Sequence, residues 1–79
     1  MSRARDVIEV VARAFAEKPD AVSVTERSLR GQTVIELTMA PGDMGRVIGR
    51  QGRTAQALRT LASCAADLDG QKVTVDFRD

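Results

Sequence analysis

The spacing of hydrophobic positions along the chain switches between a helical and an alternating period, and each switch marks an element. Over residues 3–18, Val7, Ile8, Val11, Ala14 and Phe15 recur at helical spacing, while Arg5, Glu9, Arg13 and Glu17 fall away from that stripe. This predicts an amphipathic helix, to which the Glu9/Arg13 pair at i, i+4 adds roughly 0.2 to 0.5 kcal/mol. Pro19 is expected to stop it, since proline offers no N–H and clashes with the preceding turn. Residues 21–27 alternate, with Val22 and Val24 on one side and Ser23 and Thr25 on the other, the period of a half-buried strand. Residues 29–32 read as a turn in which Gly31 can take a positive φ. Residues 33–40 alternate again, setting Ile35, Leu37 and Met39 against Val34, Glu36 and Thr38, so the two runs are expected to pair as a β-hairpin.

Pro41 and Gly42 break the second strand. Asp43 is expected as the N-cap of a short helix over residues 44–48, which needs tertiary support from Met44, Val47 and Ile48 because it is barely more than a turn and a half long. Gly49 is expected to end it in the left-handed conformation. Residues 53–66 give a longer helix with Ala55, Leu58, Leu61, Ala62 and Ala65 on one face and Arg53, Gln56, Arg59, Thr60 and Ser63 around the other. Residues 67–70 read as a turn, and residues 72–78 alternate a last time, with Val73, Val75 and Phe77 opposite Thr74 and Asp76. The predicted order is helix, strand, strand, short helix, helix, strand. Each strand has one apolar face, so the expected class is α+β, with three helices covering one side of a three-stranded sheet. The connection from the second strand through two helices to the third is long enough for a right-handed parallel crossover, which makes the sheet mixed. No internal repeat, linker or low-complexity tract interrupts this order.

Composition narrows the chemistry. The 79 residues make one domain, expected to span residues 1–79, with an apolar content of 43% drawn mostly from Ala, Val, Leu and Ile. Phe15 and Phe77 are the only aromatics, and there is no histidine. The single cysteine, Cys64, can close no internal disulfide, and the chain lacks the usual ligand sets for zinc. No cofactor is expected. Nor is there a paired nucleophile and base, so catalysis has no support. The opening residues are charged and lead into no long apolar run, which predicts neither a signal peptide nor a membrane span. A cytoplasmic setting is the natural expectation.

Charge sharpens the picture once it is divided along the chain. The formal net charge is only +1, but residues 44–66 hold Arg46, Arg50, Arg53 and Arg59 and no acid, giving +4 against −3 for the rest. A basic patch on a slightly acidic body points to a polyanionic ligand.

The patch centres on Gly49-Arg50-Gln51-Gly52, a GxxG turn between the two helical patterns. A nucleotide-binding P-loop would need a lysine followed by Ser or Thr after its last glycine, whereas Arg53 and Thr54 follow Gly52. A dinucleotide fold needs more chain than is present. A helix-GxxG-helix turn remains: its glycines let a phosphodiester chain approach closely, and the N–H groups opening the second helix face the anion. Arg50 and Arg53 would add charge, and Gln51 hydrogen bonding.

The run Val47-Ile48-Gly49-Arg50-Gln51-Gly52-Arg53-Thr54, followed by Ala57, Leu58 and Leu61, resembles the signature of a KH domain. The element order is similar to the type II arrangement, and a single domain of this length with Arg-Gln in its loop resembles the small bacterial KhpA/YlqC family. That resemblance implies binding of single-stranded RNA, the loop clamping about four nucleotides. It implies that Gly49, Arg50, Gln51 and Gly52 hold the phosphates, with Arg46, Arg53 and Thr54 beside them. Val47, Ile48 and the Ala55 side of the second motif helix would supply an apolar floor for the bases, and the second strand a wall. It further implies an RNA chaperone or post-transcriptional regulator connected with cell shape, acting as a homodimer or with a larger KH-containing, Jag-type protein. The pairing surface is expected on the face of Thr60, Ser63 and Cys64 or at a sheet edge.

Plainer readings stand beside these. At least one of Val47 and Ile48 is expected in the core, Met39 and Met44 as core filler, Cys64 as a small packed residue, and Arg59 as part of a solvated helix face. The outer sheet positions Ser23, Thr25, Val34, Glu36, Thr38, Thr74 and Asp76 carry no aromatic on which a base could stack. The alternative function is a protein-interaction adaptor whose contact with RNA is weak or vestigial.

Overall fold

In the computed structural model, which describes residues 2–49 and 52–78, the chain runs as α1 (Arg3–Phe15), a 3-10 turn (Pro19–Ala21), β1 (Ser23–Leu29), β2 (Gln32–Thr38), α2 (Pro41–Ile48), α3 (Arg53–Leu68) and β3 (Val73–Arg78). The sheet order is β1-β2-β3, with β1 antiparallel and β3 parallel to β2. This is the expected mixed sheet under three helices. Because β2 is central and paired on both sides, it offers no sheet edge; the edges are β1 and β3. Any wall that β2 offers is therefore a face or an end of the strand and not an edge.

The hairpin turn is Arg30-Gly31, both with positive φ, at 52° and 78°, closed by the Leu29–Gln32 pair. That two-residue geometry matches the twist of antiparallel strands. Alternation along the strands then sends Val22 and Val24, Ile35, Leu37 and Met39, and Val75 to the helical side, where all are buried. The outer side is polar: Glu36 accepts from Thr25 and Arg27 and is paired with Arg78.

Helix α1 begins at Ser2, whose hydroxyl accepts from the Arg5 amide at 3.1 Å and donates to the Glu26 carboxylate of β1. It ends at Phe15, earlier than expected. Lys18 precedes a proline, which disfavours helical backbone, and stands at φ −120° and ψ 74°; the amides of Glu17 and Lys18 donate instead to the Asp43 carboxylate, each at 3.1 Å. The buried face of α1 is Ala4, Ile8 and Ala12, flanked by half-buried Val7 and Val11; Ala14, expected inside, is exposed. Small residues lie inward because α1 packs closely against α3. The two run in opposite directions, with Arg3 paired to Asp69 at one end.

Helix α3 buries Ala55, Leu58, Ala62, Ala65 and Ala66. It continues through Asp67 and Leu68, which were expected in a turn, and closes with Gly70 at φ 68° and the Gln71 amide donating to the Ala66 carbonyl. This Schellman closure satisfies the last carbonyls of the helix. Leu61 and Cys64, expected to pack, are exposed. Met39, Met44 and Val47 complete the core under α2.

Candidate nucleic-acid interface

Helix α2 is what presents the loop. Pro41 occupies its first turn, where the missing N–H costs nothing. The N-cap is Ala40, and no side chain caps it, so Asp43 is not the expected cap. Asp43 instead lies one turn in and 3% exposed, joined to the segment after α1 by the Glu17 and Lys18 amides and to Arg46 at 2.5 Å. The Arg46 guanidinium, then the two amides, hold its carboxyl below the ordinary carboxylate value, and burial opposes them. A local capping signal has been put to tertiary use.

The same contacts change the charge of the patch. Arg46 is paired with Asp43 and with Glu17 at 3.7 Å, and its guanidinium lies 5.0 Å from the Phe15 ring centroid. Asp43 stands one residue before the acid-free window, so the sequence count of +4 includes a cation that is neutralised in the fold. Arg53 and Arg59, by contrast, are exposed and form no ion pair among the described residues.

The two glycines have different reasons to be glycine, and they reverse the expectation. Gly49 ends α2 with φ −65° and ψ −175°, which is extended and not left-handed. A Cβ there would sit 2.8 Å from the Gly45 carbonyl oxygen, so a side chain is excluded by backbone. Gly52 is the left-handed residue, at φ 70° and ψ 19°, and forms the N-cap of α3. Its amide donates to the Gly49 carbonyl at 3.0 Å, closing the turn. No side chain caps α3 and no acid stands in its first turn. The N–H groups opening this 16-residue helix, with Arg53 among them, present a positive end to any ligand at the loop. Arg50 and Gln51 lie outside the described residues.

Of the other expected site residues, Ala55 points into the core at 6% exposure, and Val47, at 1%, shows only at the bottom of an apolar groove that it lines with Phe15, Thr54 and Leu58. Ile48 is 51% exposed and is the open apolar group of the pair. Thr54 is half-buried and lines a depression of about 460 Å³ with Phe15, Gly42, Gly45, Arg46 and Gly49. Gly42, Gly45 and Gly49 recur there on one face of α2, leaving its backbone uncovered.

A family model for the KhpA/KhpB KH domain matches residues 5–77. The chain belongs to that family. Relatives named RNA-binding protein KhpA include those of Caldanaerobacter subterraneus subsp. tengcongensis, 45% identical over 72 residues, which are 91% of this chain and 96% of that one. The protein of Clostridium perfringens is 39% identical over 73 residues, 92% of this chain and 97% of that one. That of Streptomyces coelicolor is 40% identical over 74 residues, 94% and 90%. The family is one of RNA-binding proteins and not of enzymes. Among solved structures, Era of Aquifex aeolicus bound to GDP and AlF4 superposes with a TM-score of 0.68 at 17% identity. The match covers 94% of this chain but only 29% of Era, and it speaks for the fold alone.

Sequence reasoning left the partners of the two phenylalanines unseen. Phe15 meets Arg46 and Phe77 meets Arg59, at 4.9 Å from the ring centroid. Each pair joins residues far apart in the chain, so no local pattern signals it. Also unforeseen is an apolar groove between α1 and α3, lined by Val11, Phe15, Ala57, Leu58 and Leu61. Among the described residues no cluster of His, Cys, Asp and Glu could hold a metal ion, and no helix is long and apolar enough to cross a membrane.

Proposed function

We propose that this chain, as a single KH domain over residues 1–79 with its GxxG loop at residues 49–52, binds single-stranded RNA. The observation that carries the reading is the turn itself: two glycines with no room or no freedom for side chains, opening onto the uncapped N-terminus of α3. The KhpA relatives are RNA-binding proteins by name, which supports the same ligand. Gly49, Arg50, Gln51 and Gly52 hold the phosphates, Arg53 and Thr54 flank them, and Ile48 offers apolar surface to a base. Arg46 and Val47 support the loop from behind. Replacing Arg50 and Gln51 together by Asp puts negative charge against phosphate; RNA retention in a filter assay should be lost while the circular dichroism spectrum is kept. Undiminished binding by that variant would sink the clamp. Comparing RNA and DNA of one sequence across salt concentrations separates recognition of the 2′-hydroxyl from charge alone.

One module reading about four nucleotides has little selectivity, so the protein acts in the cytoplasm as an RNA chaperone or post-transcriptional regulator in which linked sites raise affinity. It does so as a homodimer or beside a larger KH-containing, Jag-type protein. The uncovered groove between α1 and α3, with Leu61 43% exposed beside it, supports pairing through the helical face. Sedimentation as a monomer at every concentration would count against self-pairing and leave the heteromeric form. An adaptor role without RNA would show as partner binding untouched by the Asp variant.

A further inference from the structure

The chain has two aromatic side chains, and a guanidinium lies over each of them. The pairs differ in what else holds the arginine. Arg46 over Phe15 is bound by Asp43 and Glu17. Arg59 over Phe77 is exposed and has no acidic partner among the described residues, while Phe77 is half-buried against the core and fixed in β3. A guanidinium is planar and weakly hydrated, and it stacks on aromatic faces. Attraction to the ring holds it in place, leaving its outer face open to a second planar group.

We infer that Arg59, backed by Phe77, is a stacking platform for an unpaired base of the bound RNA; this rests on the RNA-binding reading above. The position fits. Arg53, Gln56 and Arg59 follow one another at i, i+3 along α3 and are all exposed, forming a ridge that leads away from the loop. Six residues of helix advance about 9 Å, within the reach of the roughly four nucleotides that a GxxG loop holds. The pairing also answers a need left by the composition. The outer face of the sheet carries no aromatic, so a base finds its planar surface in a guanidinium held over a ring.

The platform is tested with a short RNA selected from a random pool for binding to the wild-type protein, and with copies in which one abasic ribose is walked along the strand. Titrations use the full chain and its Arg59→Lys variant, which keeps the charge and loses the plane, at several salt concentrations. In the wild type, loss of one particular base should weaken binding about tenfold, as stacked bases do. Arg59→Lys should bind the intact RNA about tenfold more weakly, be indifferent to that base, and keep the same salt slope and melting temperature. The inference is overturned if Arg59→Lys binds the intact RNA as the wild type does, or if it weakens yet stays equally sensitive to that base. Failure of the RNA-binding reading looks different: the wild type selects no RNA, or the Arg50→Asp, Gln51→Asp variant binds it undiminished.

Discussion

The amide of Gly49 donates to the Gly45 carbonyl at 2.8 Å, and a Cβ on Gly49 would meet the same oxygen at the same distance. The last hydrogen bond of α2 and the absence of a side chain at the first loop position are thus one constraint. Gly49→Ala must move backbone, whereas Gly52→Ala meets open space and suffers only from its left-handed φ. Gly52→Ala should lower stability by about 1 to 2 kcal/mol, and Gly49→Ala by more. Urea unfolding of the two variants checks the order; equal losses would mean that the Gly45 contact is easily relieved.

Neighbouring apolar residues before the loop should separate stability from binding. Val47→Ala removes fully buried methyl groups and should cost about 2 kcal/mol. Ile48→Ala, at a half-exposed position, should change stability by about 0.5 kcal/mol or less and weaken RNA binding. Denaturant melts and RNA titrations of both variants decide this. A large stability loss at Ile48 would place it in the core beside Val47.

Salt dependence should distinguish the two arginines flanking the loop. If Arg53 meets a phosphate, Arg53→Gln should flatten the slope of log affinity against log salt by about 0.7 for single-stranded RNA. Arg46→Gln should leave that slope nearly unchanged, because its charge is already matched by Asp43 and Glu17. Equal flattening would show that the ion pairs open on binding.

The Asp43 carboxyl titrates below its ordinary value because the charged form accepts from Arg46 and two amides. A group depressed in the folded state contributes stability above its unfolded pKa, about 3.9, and loses it as the pH falls through the lower folded value. Asp43→Asn should therefore be less stable than wild type at neutral pH, and the gap should narrow below about pH 4. Thermal melts from neutral pH down into that window test it; a gap independent of pH would make the contact one of shape and not of charge.

The length of the connection from β2 to β3 predicted the mixed sheet, and the periodicity of the chain predicted the element order, because alternation in the strands reports burial directly. It erred where burial depends on a neighbour. Ala4 and Ala12 face inward and Ala14 outward because α3 lies close on one side, which alanine, tolerated anywhere, does not announce. Leu61 looks like core and is open because α1 does not cover that part of α3. At the loop, both glycines were legible as necessary, but which one is left-handed was not: a steric limit set by Gly45 and a dihedral limit at Gly52 produce the same letter. Asp43 shows the converse, a helix-start signal that caps nothing and instead accepts from Arg46 one turn on and from two amides more than twenty residues away.

Asp43 meets Glu17 across 26 residues, and the segment between them contains the whole β-hairpin. Bringing the ends of such a segment together is entropically easier once the hairpin has drawn them close. Forming the hairpin therefore eases the fastening of α2 to the segment after α1, whereas the pairing of β3 with β2 and of Arg3 with Asp69 closes longer stretches of chain. Asp43→Asn should accordingly speed amide exchange in α2 more than in β1 and β2, because the contact tethers the helix and not the hairpin.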